Sequence, residues 1–174
     1  MRVVAGTARG RRLHAPAGRS TRPTSDRVRE ATFNALGSLG VLGGAEVLDL
    51  FAGSGALGIE ALSRGATRAT FVDDDPRALD AVRANLAAAG LAGASRVEQC
   101  DAFAYLARRP GPFDVALLDP PYRFPDESWA RLLDALDVNV AVCESDRSVA
   151  VGPAWELLRT KRYGTTVVVL ARHR

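Results

Sequence analysis

The sequence predicts an α/β protein with a doubly wound, mostly parallel sheet that finishes in an antiparallel hairpin, preceded by a small extension of β-hairpin and helix. Three observations predict it. From Ala45 onward, short apolar runs alternate with segments of helical spacing, the order that gives parallel strands joined by crossover helices. A glycine-rich stretch, "DLFAGSGALG" (49–58), falls at the first strand-to-helix junction. The last two strand-like runs, "WELLRTKRYG" and "TTVVVLAR", follow each other with no helix between them.

Each element has a local signal. "RVVAGTARGRRLHAP" divides into two short halves around a glycine-arginine turn and reads as a β-hairpin. "TSDRVREATFNAL" (24–36) reads as a helix capped by Thr24, Ser25 or Asp26. These pieces make up an extension over 1–40, with the main domain over 41–174. "EVLDLF" (46–51) is a buried-strand pattern, and "ALGIEALSRG" (56–65) is helical and stops on glycine. "ATFVD" (69–73) is the second strand of the main domain; "PRALDAVRANLAAAG" (76–90) opens on a proline suited to a first helical turn and stops at Gly90. There follow a strand at 96–100, a helix at 102–109, a strand at 113–119, a helix at 126–137 and a strand near 139–144. No internal repeat or low-complexity tract interrupts them.

The 174 residues suffice for one domain with one core. No apolar run reaches the roughly 18 residues of a membrane span, and the charged start lacks the apolar stretch of a signal peptide. A cytoplasmic, monomeric protein with no membrane partner is expected. Cys100 and Cys143 lie in apolar runs and read as buried, reduced thiols; they and His14 and His173 lack metal-ligand spacing, so no metal is expected. The net charge of +3 is unevenly spread: Met1 to Glu30 holds eight arginines against Asp26 and Glu30, a local +6 that leaves −3 for the rest. Such a cluster reads either as a polyanion contact or as a solvated arm.

Gly53, Gly55 and Gly58 have G-x-G-x-x-G spacing between a strand and a helix, where the backbone can turn tightly against a ligand. The pattern fits NAD and S-adenosylmethionine alike. Asp73, at the end of the next strand, is placed to accept from ribose hydroxyls, ahead of Asp74 and Asp75, which read as solvated or capping. Asp101 ends the third strand and can accept from an adenine amino group, cap the next helix, or both.

"LLDPPYRF" (117–124) sets an acid, two prolines and an aromatic at the end of a buried strand. The carboxyl ends of strands line the ligand crevice of an open α/β sheet, so Asp119 belongs beside Asp49, Asp73 and Asp101. The prolines offer carbonyls without N–H groups. A carboxylate beside a carbonyl suits a donor with two hydrogens, such as the exocyclic amine of a nucleobase, and stacking on Tyr122 would add roughly 1–3 kcal/mol. A surface turn is the structural alternative.

"RVVAGTARGRRL", "RPTSDRVREATFNAL", "LDLFAGSGALGIEALSRGA" and "LLDPPYRF" occur in the order seen in the bacterial RsmD family of small-subunit ribosomal RNA guanine-N2 methyltransferases, which the chain resembles over almost its whole length. The resemblance implies a Rossmann-like class I S-adenosylmethionine-dependent methyltransferase with a seven-stranded sheet. It also implies a guanine of 16S rRNA, in an assembled or assembling small subunit, as acceptor. Residue by residue it implies Asp49, Phe51, Gly53, Ser54 and Gly55 as the cofactor loop, Asp73 as the ribose contact, Asp101 with Ala102 as the adenine contact, and Asp119, Pro120, Pro121 and Tyr122 as the pocket for the target amine. Arg9, Arg11, Arg12, Arg22 and Arg27 then become RNA phosphate contacts. The second strand ends in Asp73 where relatives can carry Glu, and the match weakens past Trp129.

Overall fold

The computed structural model describes residues 1–16, 25–108, 110–121 and 123–174. Helix α1 (Asp26–Ser38) is followed by β1 (Glu46–Leu50), α2 (Ala56–Ser63), β2 (Arg68–Asp73), α3 (Pro76–Ala89), β3 (Ser95–Gln99), α4 (Ala102–Ala107), β4 (Phe113–Leu118), α5 (Asp126–Ala135) and β5 (Val138–Ser145). The hairpin β6 (Trp155–Tyr163) and β7 (Thr166–His173) ends the chain. The seven strands lie in the order β3-β2-β1-β4-β5-β7-β6. The pairs from β3 through β5 are parallel, and β7 runs antiparallel to both β5 and β6. Strand order reverses between β1 and β4, so the connections leave in opposite directions and open a crevice at the strands' carboxyl ends.

The apolar runs are continuous because both faces of the sheet are covered. Val47, Phe71, Val115, Leu117 and Val142 face α1, α2 and α3, packing with Phe33, Ile59 and Val82. Their neighbours Leu48, Val72, Ala116, Leu118 and Cys143 face α4 and α5, packing with Leu106, Trp129 and Leu132. The two-residue period of a strand thus feeds two cores. Cys143 is buried, which pushes its thiol up to about 12, whereas Cys100 is only half-buried.

Several local expectations change. Ser25 is the cap of α1, accepting from the Val28 N–H; Thr24 lies outside the described residues. Helix α5 ends at Ala135, short of 137, because Leu136 turns extended (φ −79°, ψ 135°) to start the approach to β5. The two N-terminal halves pair antiparallel, through the bridge Arg2 to Arg12 and through Val3 N–H to the Arg11 carbonyl (3.0 Å), Gly10 N–H to the Val3 carbonyl (2.9 Å) and Leu13 N–H to the Met1 carbonyl (3.0 Å). Helix α2 holds the turn between them. Glu60 accepts from the N–H groups of Val4 (2.8 Å) and Ala5 (3.0 Å), the Ser63 carbonyl accepts from Thr7 N–H (2.8 Å), and Ser63 Oγ accepts from Ala8 N–H (3.0 Å). Gly6 sits so close to α2 that a Cβ there would lie 1.7 Å from the Ser63 carbonyl oxygen. Val3, Ala8 and Leu13 accordingly share one apolar cluster with Val47 and Ile59. Among the described residues, no helix is long and apolar enough to cross a membrane.

Candidate active site

The site is built on the turn that carries the chain from β1 into α2. Phe51 (φ 63°), Gly53 (φ 55°) and Gly55 (φ 77°) are all left-handed, which folds the loop back over the strand ends. The loop is tied to β2: Ala52 N–H donates to the Val72 carbonyl at 3.0 Å, and Gly53 N–H donates to Asp73 Oδ2 at 2.8 Å. Ser54 belongs to the same turn, its carbonyl accepting from Asn85 Nδ2 at 2.8 Å. Gly58 has a different role. Its N–H donates to Asp49 Oδ2 at 2.9 Å, and a Cβ at that position would come within 2.4 Å of the Phe71 ring. The third glycine of the motif therefore lets α2 pack down on β2.

Asp49, Asp73 and Asp119 come together where β1, β2 and β4 end. Asp49 is 1% exposed. Burial holds its carboxyl well above the usual range; the Gly58 N–H works against that, and the charges of Asp119 and Asp73 add to it. Asp73 is buried as well, its Oδ1 accepting from Asp75 N–H at 3.0 Å and its Oδ2 from Gly53. Each of these oxygens keeps a second lone pair for a ligand. Asp74 is exposed, and Asp75 caps α3 by accepting from Arg77 N–H at 2.9 Å. Asp101 is exposed and caps α4, accepting from Ala104 N–H at 2.9 Å, with Ala102 buried behind it. Carboxyls gathered on the floor of the crevice suit a cationic ligand group, and S-adenosylmethionine fits these residues.

Beyond β4, Asp119 is half-buried, Pro120 buried and Pro121 exposed; Tyr122 lies outside the described residues. Asp119, Pro120, Phe124, Trp129, Glu144 and Asp146 are among the residues lining a cleft there. Its far wall is braced by Arg147, which donates to the Phe124 carbonyl (2.7 Å), Asp126 Oδ1 (2.6 Å) and Asp146 Oδ1 (3.0 Å). Phe124 meets Phe51 edge-on at 5.6 Å and Trp129 at 5.4 Å between ring centroids, and stacks on Phe103 at 6.3 Å. This aromatic cluster joins the glycine turn after β1 to the segment after the two prolines. Sequence reasoning passed over Arg147 and Phe103.

Arg9, Arg11, Arg12 and Arg27 are exposed, and Arg22 lies outside the described residues. Arg29, counted in the basic cluster, is instead fully buried: it donates to Asp26 Oδ1 (2.8 Å) and the Arg2 carbonyl, and lies 3.5 Å from Glu60. Glu60 also accepts from Arg64 Nε at 2.7 Å, so one buried carboxylate organises α1, α2 and the N-terminal segment. Glu60, and Asn85 on α3, are further residues that the sequence did not single out. A lone carboxylate inside "ALGIEALS" and a lone amide inside "VRANLA" were the available signals.

The sheet order, with an antiparallel strand inserted before the last edge, together with the glycine turn after β1 and the acid ending β2, defines the class I methyltransferase fold. The chain belongs to the family described as "Conserved hypothetical protein 95", whose profile matches residues 1–172, the RsmD family indicated by the motifs. It is 40% identical to YlbH of Bacillus subtilis (strain 168) over 187 residues, covering 100% of both chains. It is 44% identical to Ribosomal RNA small subunit methyltransferase D of Escherichia coli (strain K12) over 123 residues, 71% of this chain and 61% of the relative. The solved structure of yhhF from Escherichia coli aligns with a TM-score of 0.86 and 37% identity, over 100% of this chain and 98% of that one.

Proposed function

We propose that this protein transfers a methyl group from S-adenosylmethionine to the exocyclic N2 amine of one guanine in small-subunit ribosomal RNA, acting on the assembled or assembling particle. The observation that carries the reading is the position of Asp119. It directly follows β4, near Asp49, and lines a cleft with Pro120, so an acceptor there meets a cationic donor held by the loop. The Escherichia coli relative's name supplies the substrate class.

Bound S-adenosylmethionine would supply an electrophilic methyl carbon on a sulfonium, whose bond electrons remain with sulfur on transfer. The chain's residues do the rest. Gly53 and Gly55 shape the turn around the donor, Asp73 accepts from ribose hydroxyls, and Asp101 with Ala102 borders the adenine. Asp119 and the Pro120 carbonyl accept one hydrogen each from the target amine, which makes its nitrogen more tetrahedral and frees the lone pair for attack. The proton that the nitrogen must lose passes to Asp119 and then to water. Alignment of this kind supplies up to roughly 7–11 kcal/mol of barrier reduction without metal or covalent help. Arg9, Arg11, Arg12 and Arg27, together with Arg22, hold RNA phosphates while the base turns out of its stack, at a cost of a few kcal/mol.

The test is a transfer assay with labelled S-adenosylmethionine, offering small-subunit particles lacking the modification and, separately, duplex DNA. Label in the rRNA supports the reading. Label in DNA makes the chain a DNA amino-methyltransferase, and failure to bind the donor makes it a non-enzymatic RNA-binding assembly factor.

A further inference from the structure

We infer that Glu144 is the residue that selects guanine, by accepting the ring N1–H beside the amine that Asp119 holds; this rests on the reading of the Asp119 cleft as the acceptor pocket. The register places it there. Leu118 of β4 pairs with Cys143 of β5, and both face the α4–α5 core. Asp119 directly follows β4 and Glu144 is the next residue of β5, so both come just past that pair, and both line the same cleft. Each has partners within the fold, but a carboxylate offers about four lone-pair sites and keeps acceptor capacity.

The other polar groups at the end of β5 are otherwise engaged. Asp146 pairs with Arg147 at 3.0 Å, and Ser145 Oγ accepts from Arg147 N–H and donates to Asp146. Glu144 is the β5 residue that follows the Cys143–Leu118 pair, and its carboxylate, partnered within the fold, can accept a further hydrogen beside the target amine. On the α5 side the cleft is closed by Trp129, which is 2% exposed and packs into the α4–α5 core.

Base chemistry turns this arrangement into a filter. In guanine the atom flanking the exocyclic amine is N1–H, a donor, followed by the O6 acceptor. In adenine and cytosine the flanking ring nitrogen is an acceptor, as the nucleobase edges require. A second carboxylate beside Asp119 accepts from guanine N1–H and repels the lone pair of the other two bases. The same carboxylate also favours the positive charge that grows on the amine during transfer.

The experiment uses particles reconstituted with rRNA carrying either guanine or 2,6-diaminopurine at the mapped target. The analogue keeps the N2 amine but presents a lone pair at N1. Wild-type protein and Glu144→Gln are compared in kcat/KM on both, with S-adenosylmethionine affinity measured alongside. Glutamine is isosteric and can donate to N1. The expected result is a strong wild-type preference for guanine that falls by roughly 10- to 100-fold in the variant, the scale of one base-edge hydrogen-bond pairing, with donor affinity unchanged. An unchanged ratio overturns the inference, and so does a uniform loss on both bases. If wild-type protein methylates neither substrate, the acceptor-pocket reading fails first, and the inference with it.

Discussion

The side-chain amide of Asn85 holds both backbone polar groups of His14, accepting from its N–H at 2.8 Å and donating to its carbonyl at 2.9 Å. The same Nδ2 donates to the Ser54 carbonyl at 2.8 Å, so one fully buried amide joins the arginine-bearing segment to the cofactor loop. Replacing it orphans groups on both sides. Asn85→Ala is expected to lower stability by about 1–3 kcal/mol for each buried group left unpaired and to weaken donor binding. Urea unfolding and calorimetry check both; a donor affinity equal to wild type would separate the loop from the segment.

Gly6 is the point where the segment presses on α2. A Cβ there would meet the Ser63 backbone, which cannot swing aside as a side chain could, and φ of +83° disfavours any L side chain. Gly6→Ala is expected to lift residues 4–8 from Glu60 and Ser63 and to expose the arginines around them to limited trypsin digestion. Wild-type cleavage kinetics would contradict this.

How much of this was legible follows from what sequence patterns encode. The alternation of strands and helices was readable because a sheet covered on both faces needs unbroken apolar runs; Asp73 and Asp119 were readable because they close such runs, and Asp49 because it interrupts one. Arg29 was not: within "DRVRE" nothing separates a surface arginine from one that turns inward to a carboxylate on another helix. The pairing of the two N-terminal halves was legible, but their docking was not, because Glu60 and Ser63, which hold Val4, Ala5 and Ala8, lie far along the chain on α2. Glu144 sat in a strand whose end could be aligned with Asp119 only once the β4–β5 register was known.

Asp49 predicts a pH dependence. Its folded carboxyl titrates above the unfolded one, so the folded state holds the extra proton. Its burial is tolerated while protonated, and the destabilisation grows as pH rises from the ordinary carboxylate range through the raised folded value. Wild type should therefore lose stability relative to Asp49→Asn across that window. A sulfonium in the crevice favours the ionised form, so binding S-adenosylmethionine within the window should release protons, and binding S-adenosylhomocysteine, which has a neutral thioether in its place, should release fewer. Calorimetry in buffers of different ionisation enthalpy measures this; equal proton release for the two ligands would contradict it.

Arg9, Arg11 and Arg12 are exposed on the docked segment. Replacing all three with Ala should weaken RNA binding and flatten its salt dependence by roughly 0.7–0.9 in log–log slope for each phosphate no longer neutralised. Donor affinity should not change. An unaltered slope would make the segment a solvated arm.

Asp119→Ala should bind S-adenosylmethionine normally and transfer its methyl group at least roughly 10²-fold more slowly, the scale set by removing one preorganised hydrogen-bonding group from a transition state. Single-turnover kinetics under saturating donor give the number, and near-wild-type turnover would remove Asp119 from the chemistry.

The identity of the product tests the assignment of guanine N2 as acceptor most directly. Small-subunit particles lacking the modification are treated with the protein and S-adenosylmethionine, and the rRNA is digested to nucleosides and mapped by mass spectrometry. N2-methylguanosine at a single position is the expected product. A methyl group on an adenine or cytosine amine, or on guanines at many positions, would contradict the assignment.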